Sequence, residues 1–261
     1  MIKALYTSAS GMHAQQKNLD NTASNISNAN TTGYKRSRIE FQDLIYENVR
    51  IPSATDQGTT LPVPLQIGGG TRVVASVKNF EMGAPQETGN PLDMMIRGDG
   101  FFQVLLPNGT QGFTRDGSWK MTAEGQIVNA QGLPMEPPIN IPSDATSVMI
   151  SPEGKVSVLT QGNSEPSEVG QIELVRFVNP AGLLNDGGNI YTQTVSSGDP
   201  LSATPGSDGT GTVEQGYLEA SNVKIVNEMI NLITAQRGYE LNSRAIRTAD
   251  DMINIATQLK R

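Results

Sequence analysis

Apolar residues recur at every seventh position at both ends of the chain: Leu5, Met12, Leu19 and Ile26 near the start, and Ile225, Leu232, Tyr239, Ile246 and Ile253 near the end. A seven-residue repeat holds its members on one face of an α-helix, so the pattern predicts amphipathic helices within 1–30 and 222–261. In the first, Ala9, Gln16 and Ala23 fall at the alternate seam positions, where small side chains admit a neighbouring helix and a glutamine sets register. In the second, Leu241, Ala245, Thr248, Met252, Ile255 and Leu259 form an adjacent stripe that predicts a broad buried face. At ~1.5 Å per residue the helices would be about 38 Å and somewhat over 50 Å long. Matching stripes at opposite ends predict an antiparallel coiled-coil pair with apolar surface left over for other subunits. A core so thin predicts termini that fray in the isolated chain and order in an assembly.

Between the helices the period changes from seven to two. The short apolar runs Phe101–Leu106, Lys155–Leu159 and Gln171–Val175 alternate with turn pairs such as Asn108-Gly109, Asp116-Gly117, Glu124-Gly125 and Gln131-Gly132, which are hairpin signals. Residues 72–195 therefore read as an all-β domain, with Trp119 as a core anchor. Flanking it, 31–71 and 196–221 read as extended arms or linkers. Ile51–Gly70 is rich in Pro, Gly and Thr and uncharged after Asp56, the composition of an extended arm. The fold class is α+β: terminal helices paired as an inner domain, an all-β outer domain, and extended links.

Composition narrows the chemistry. With 261 residues, 36% hydrophobic and 5% aromatic, alongside 27 glycines and 15 prolines, the chain suits an extended, turn-rich molecule rather than one thick globule. A net charge of −7 argues against nucleic acid as a partner. The absence of cysteine removes disulfides and thiolate chemistry, and the single histidine, His13, removes any two-imidazole site, so no cofactor or metal is indicated. There is no signal-peptide pattern and no apolar run long enough to span a bilayer, so neither a cleaved leader nor membrane insertion is expected.

Carboxylates remain as candidate catalysts. Asp93, Asp99, Asp116 and Glu124 lie in the β-rich region, and a glycoside hydrolase needs only two. Each sits beside glycine or a turn, where acidic residues serve local hydrogen bonding, so the structural reading is preferred. Asp250-Asp251 on the last helix diverge by about 100° and do not converge on one ion. Arg97-Gly98-Asp99 is an adhesion tripeptide in form, but ordinary turn composition accounts for it.

In NISNANTTGYKR (25–36), amides and hydroxyls can cap the first helix, Gly33 permits positive φ, and Tyr34-Lys35-Arg36 begin the passage outward. Asn28, Gly33, Tyr34, Lys35 and Arg36 are thus read as a hinge, with the basic pair meeting an acidic neighbour; a bound anion is the alternative.

This stretch after a heptad helix, followed by GDGFFQV, FTRDGSW, QGYLEASNV and QRGYELNS in that order, resembles the flagellar rod and hook family of bacterial axial proteins. The resemblance covers both ends and much of the middle. It implies a non-enzymatic subunit that polymerises with itself into a helical tube, with the terminal helices inside and the β domain outside. Phe41–Tyr46 and the arm around Thr60, Leu61, Pro62, Leu65 and Ile67 are similar to those of members that build the straight distal shaft; hook and proximal-rod members generally lack that arm. The arm is then implied to stiffen subunit contacts.

Further implied partners are the proximal rod proteins, the hook protein, the surrounding L- and P-ring proteins and the flagellar type III export apparatus. The implied location is the basal body, in the rod crossing the periplasm, reached without a cleaved signal. The stripe residues Leu5, Met12, Leu19, Ile26, Ile225, Leu232, Tyr239, Ile246 and Ile253 would be the subunit-packing positions. Gly238 stands where relatives often carry Ala, at a cost of roughly 1 kcal/mol unless a neighbour packs tightly against it. The reading of another class is a carboxylate hydrolase acting on cell-wall glycan.

Overall fold

The computed structural model describes residues 2–50, 63–160 and 165–258. Of the arm, Thr60, Leu61 and Pro62 lie outside the described residues, as does Leu259 of the C-terminal stripe. The class is α+β: a helix at each end, α1 (Ile2–Ser27) and α2 (Ile225–Gln258), with short strands between. Contacts divide the chain into two units, one comprising 1–27, 37–77 and 224–261, the other 28–36 and 78–223.

In the first unit α1 and α2 pack together. A Cβ on Gly11 would meet Asn242, one on Gly238 would meet Gln15, and Asn25 bonds Glu228, so levels descend on one helix as they rise on the other. The helices are antiparallel. Ser37–Asp43 pairs with Thr71–Lys78, and Glu47–Arg50 pairs antiparallel with Leu65–Ile67. The segment expected as an extended link, 31–71, thus contains paired strands, because its alternating polar sequence satisfies its backbone by ladder bonds rather than by apolar burial.

The helix interface differs from the expected seam. Its fully buried positions are Ala14, Thr22 and Asn25 on α1, and Glu228, Ala235 and Ala249 on α2. Leu5, Met12, Leu19, Ile26, Leu232, Ile246 and Ile253 are half-buried, whereas Ile225 and Tyr239 are exposed. Ala9, Gln16 and Ala23 are exposed too, and Gln15 rather than Gln16 faces α2. Half of these positions are alanine and the other half polar, so the closest contact is made by small and hydrogen-bonding side chains rather than by the large apolar ones. Gly238 fits this: a Cβ there would lie 3.3 Å from the Gln15 side chain.

Among the described residues the second unit is all-β apart from one short 3-10 turn at Pro180–Gly182. Its largest sheet runs Met135–Glu136, Phe102–Leu105, Gln111–Thr114, Ile190–Thr192, Leu184–Gly187, antiparallel throughout. A three-stranded sheet runs Ala145–Ile150, Lys155–Thr160, Ser167–Gln171. Trp119, 1% exposed, sits edge-on to Phe102 within a core that includes Met94, Ile96, Val104, Ile127 and Leu174. A second cluster joins Phe101, Phe113, Phe177 and Tyr191 through edge-to-face contacts and includes Val175.

The stretch 196–221, expected as a linker, supplies three strands to this unit. Leu201–Ala203 pairs with Leu174–Arg176, Thr212–Gln215 with Met94–Arg97, and Tyr217–Glu219 with Pro85–Glu87. Their Gly-, Ser- and Thr-rich sequence hides them, since one face is polar and only Val213 enters the main core.

Candidate functional site

Two features stand out: a buried charged knot in the β unit and an exposed apolar face on α2. The knot is built on the segment after α1. Gly33 adopts φ +66, and a Cβ there would lie 2.6 Å from the Asp116 backbone nitrogen, so conformation and space both require glycine. Its N–H donates to the Glu219 carbonyl at 2.8 Å, and Thr32 Oγ1 donates to Asp116 Oδ1 at 3.0 Å. Tyr34 and Lys35 follow, both buried, with Lys78 Nζ 4.4 Å from the Tyr34 ring centroid.

Lys35 Nζ donates to Glu219 Oε1 at 2.5 Å and to the Glu81 carbonyl at 2.8 Å. Arg115 approaches Glu219 Oε2 at 3.5 Å and donates to the Gly98 carbonyl at 2.7 Å, while the Gly83 N–H donates to Glu219 Oε1 at 2.7 Å. All three charges are at most 3% exposed, so one carboxylate serves two cations and backbone carbonyls take further donors, while the buried Arg115 Nε has no hydrogen-bond partner among the described residues. Burial pushes the Lys35 ammonium below its ordinary range, with the Glu219 carboxylate opposing that shift. It does the same to Arg115, again against Glu219.

The basic pair of the sequence motif thus divides: Lys35 meets an acidic neighbour, and the Arg36 backbone N–H is taken by Asn222 Oδ1 at 2.8 Å. Asn28 accepts from Thr31, ending the helix. The motif residues are pinned by these bonds, and Glu219, Arg115 and Asn222 are the partners sequence reasoning missed. They were present in the motifs YLEASNV and FTRDGSW, but nothing local marks a charge for burial.

In the helical unit, Asn25 is fully buried. Its Nδ2 donates to the Ser37 carbonyl at 2.8 Å and to Glu228 Oε2 at 3.1 Å, and its Oδ1 accepts from the Ser37 N–H at 3.0 Å. Asn21 joins through Ser37 Oγ, 2.5 Å from its Oδ1.

At 100° per residue, Glu228, Ala235, Asn242 and Ala249 lie toward α1, Val226, Ile230 and Ile233 lie opposite them, and Met229, Leu241, Met252 and Ile255 lie on the flanks. These seven are 48–70% exposed. The described part of the adjacent stripe beginning at Leu241, expected to be buried, is exposed, because the contact with α1 runs along a line to one side of it. In the arm, Leu65 and Ile67 are also exposed, at 51% and 45%.

Of the four candidate carboxylates, Asp93 and Asp116 are engaged by side-chain hydrogen bonds. Asp93 accepts from Thr88 Oγ1 and Asn90 Nδ2, and Asp116 accepts from Thr32 and Ser118. Arg97 bonds Glu214 at 2.7 Å across the strand pair. His13 is exposed on α1. Among the described residues no cluster of His, Asp and Glu is disposed to hold a metal, and no helix is long and apolar enough to cross a membrane.

Buried ions that lock the backbone, and a helix whose apolar residues point outward, are features of a structural subunit. Family models agree along the chain: a flagella basal body rod protein model matches 5–35, the flagellar hook protein FlgE/F/G D1 domain 95–158, and the FlgEFG rod C-terminal model 214–259. The flagellar basal-body rod protein FlgG of Borreliella burgdorferi is 47% identical over the full length of both chains. Two Caulobacter vibrioides paralogues discriminate further: its FlgG is 43% identical over 99% of this chain and 100% of its own, its FlgF 33% over 92% and 90%. The chain belongs to the FlgG family of flagellar basal-body rod proteins.

Proposed function

We propose that this structural rod subunit forms the distal part of the flagellar rod, polymerising helically into a straight, hollow shaft that transmits torque from motor to hook. The observation that carries this reading is the outward apolar face of α2. Seven large apolar side chains left half-exposed along one helix are a liability in a free monomer and an interface in an assembly. Heterologous contacts that do not close into a ring generate a helical filament, and torque then passes through many dispersed packing contacts.

In this reading α1 and α2 form the inner, coiled-coil layer (1–30 and 222–261), 72–195 the outer domain, and Asn28 with Gly33–Arg36 the passage between them. The stripe residues, together with the exposed face of α2, pack between subunits. The arm, of which Leu65 and Ile67 are described, stiffens subunit contacts. Proximal rod proteins, the hook protein and the L- and P-rings are its neighbours, and the type III apparatus exports it to the rod crossing the periplasm. The test is Leu19→Asp or Leu232→Asp in cells: rod assembly and swimming are lost while the protein is still exported. Wild-type motility in either variant would contradict the inner-layer role.

A further inference from the structure

The chain's charge is segregated. The helical unit holds eleven basic and nine acidic residues, the β unit eight and seventeen, so the net −7 divides as +2 and −9. Within the helical unit a groove of about 290 Å³ lies between α1 and the strand Thr71–Lys78, lined by Ser10, His13, Lys17 and Arg72 with Ala14 and Val73. His13 and Lys17 are four apart and share a helix face.

The groove is built rather than incidental. Ser10 Oγ accepts from the Thr71 N–H at 3.3 Å, tying strand to helix, and Arg72 is oriented by Gln42, whose Oε1 accepts from Nε at 3.2 Å and Nη2 at 2.8 Å. The Arg72 Nη1 makes no hydrogen bond among the described residues. Neither His13, Lys17 nor Arg72 takes part in an ion pair there. Among the described residues no carboxylate lines the groove, and Asp20, one turn beyond Lys17, forms no ion pair there, while Glu240 turns to Arg237 at 3.5 Å and Glu47 is taken by Lys3.

We propose that this groove receives a carboxylate from the acidic β unit of a second copy of the chain, making it an electrostatic socket between subunits. Charge complementarity selects that occupant. The helical unit presents convergent cations without counter-ions, and the β unit of every other copy supplies an excess of nine carboxylates. An arginine oriented by a neighbouring amide meets a carboxylate with less loss of side-chain freedom than a lysine would, so Arg72 is the anchor and Lys17 adds charge. The proposal rests on the polymer reading, and the contact supplements the apolar packing of α2 by setting which copies meet and in what register.

The experiment is zero-length carbodiimide coupling of the assembled full-length protein, mixing isotopically light and heavy copies, with mass spectrometry of cross-linked peptides. Polymer is scored separately by electron microscopy. The expected result is mixed light–heavy peptides joining Lys17 to an Asp or Glu within 78–223. In Arg72→Glu, which keeps the lysine amine, these links are lost, and in Arg72→Lys they persist. Polymer in which Lys17 couples only within its own chain, only to the helical unit of another copy, or not at all would overturn the socket and leave the polymer reading standing. Failure of wild type to form polymer would overturn both.

Discussion

Asn25 on α1 and Glu228 on α2, 203 positions apart, share a buried hydrogen bond of 3.1 Å, and the same asparagine holds both backbone groups of Ser37. One amide thus joins the two terminal helices to the strand that begins the return of the chain. In Asn25→Ala the Ser37 N–H loses its partner, the Ser37 C=O keeps only Asn21 Nδ2, and a buried carboxylate loses one contact, so stability should fall on the order of 2–3 kcal/mol. Asn25→Asp should be worse, since it sets a second carboxylate against Glu228. Urea unfolding and amide exchange at Ser37 read both. Unchanged exchange in Asn25→Ala would refute the role.

Glu219 is the hub of the β unit. Glu219→Ala leaves Lys35 and Arg115 buried without a counter-ion, and breaking such a group costs about 3–5 kcal/mol. Glu219→Gln keeps an acceptor for the Gly83 N–H but not the charge, and should fall between the two. The unfolding midpoint followed by Trp119 fluorescence reports this core directly.

Burial depresses Lys35 below the ordinary lysine value of 10.5. Just below that pH the unfolded chain holds a proton that the folded chain has given up, so the stability contributed by this group rises with pH through the window. Wild type should therefore gain stability relative to Lys35→Met as pH climbs toward the ordinary lysine value of 10.5. Parallel urea midpoints across that range would show that Lys35 stays charged.

Gly33 and Gly238 should respond oppositely to alanine. At Gly33, with φ +66 and the Asp116 backbone 2.6 Å from a new Cβ, Gly33→Ala should cost at least about 1–2 kcal/mol. At Gly238 the helix gains up to about 1 kcal/mol and the new Cβ meets the flexible end of Gln15, which can give by a few tenths of an ångström. Gly238→Ala should therefore be mildly stabilising by thermal unfolding.

The two terminal helices and the need for glycine at position 33 were legible because both are local: periodicity marks a helix, and a polar, glycine-bearing run marks its end. Which face of α2 meets α1 was not. Heptad arithmetic picks out the largest apolar residues, but the closest helix contact selects the smallest, so Ala235 and Ala249 are buried while Leu241 and Ile255 face outward. The strands in 196–221 escaped notice because their pairing partners are remote. Val213 opposite Ile96 is a relation no local pattern contains. The Lys35–Glu219 pair was half legible, with the need for an acidic partner visible and its identity 184 positions away.

The central claim is that the terminal helices form the inside of a polymer. Electron microscopy of the assembled filament tests it most directly. The account predicts a straight tube whose central channel is lined by α1 and α2, with the face bearing Val226, Ile230 and Ile233 buried between neighbouring subunits and residues 78–223 outermost. A filament in which that face lies on solvent, or in which the β unit lines the channel, would contradict it.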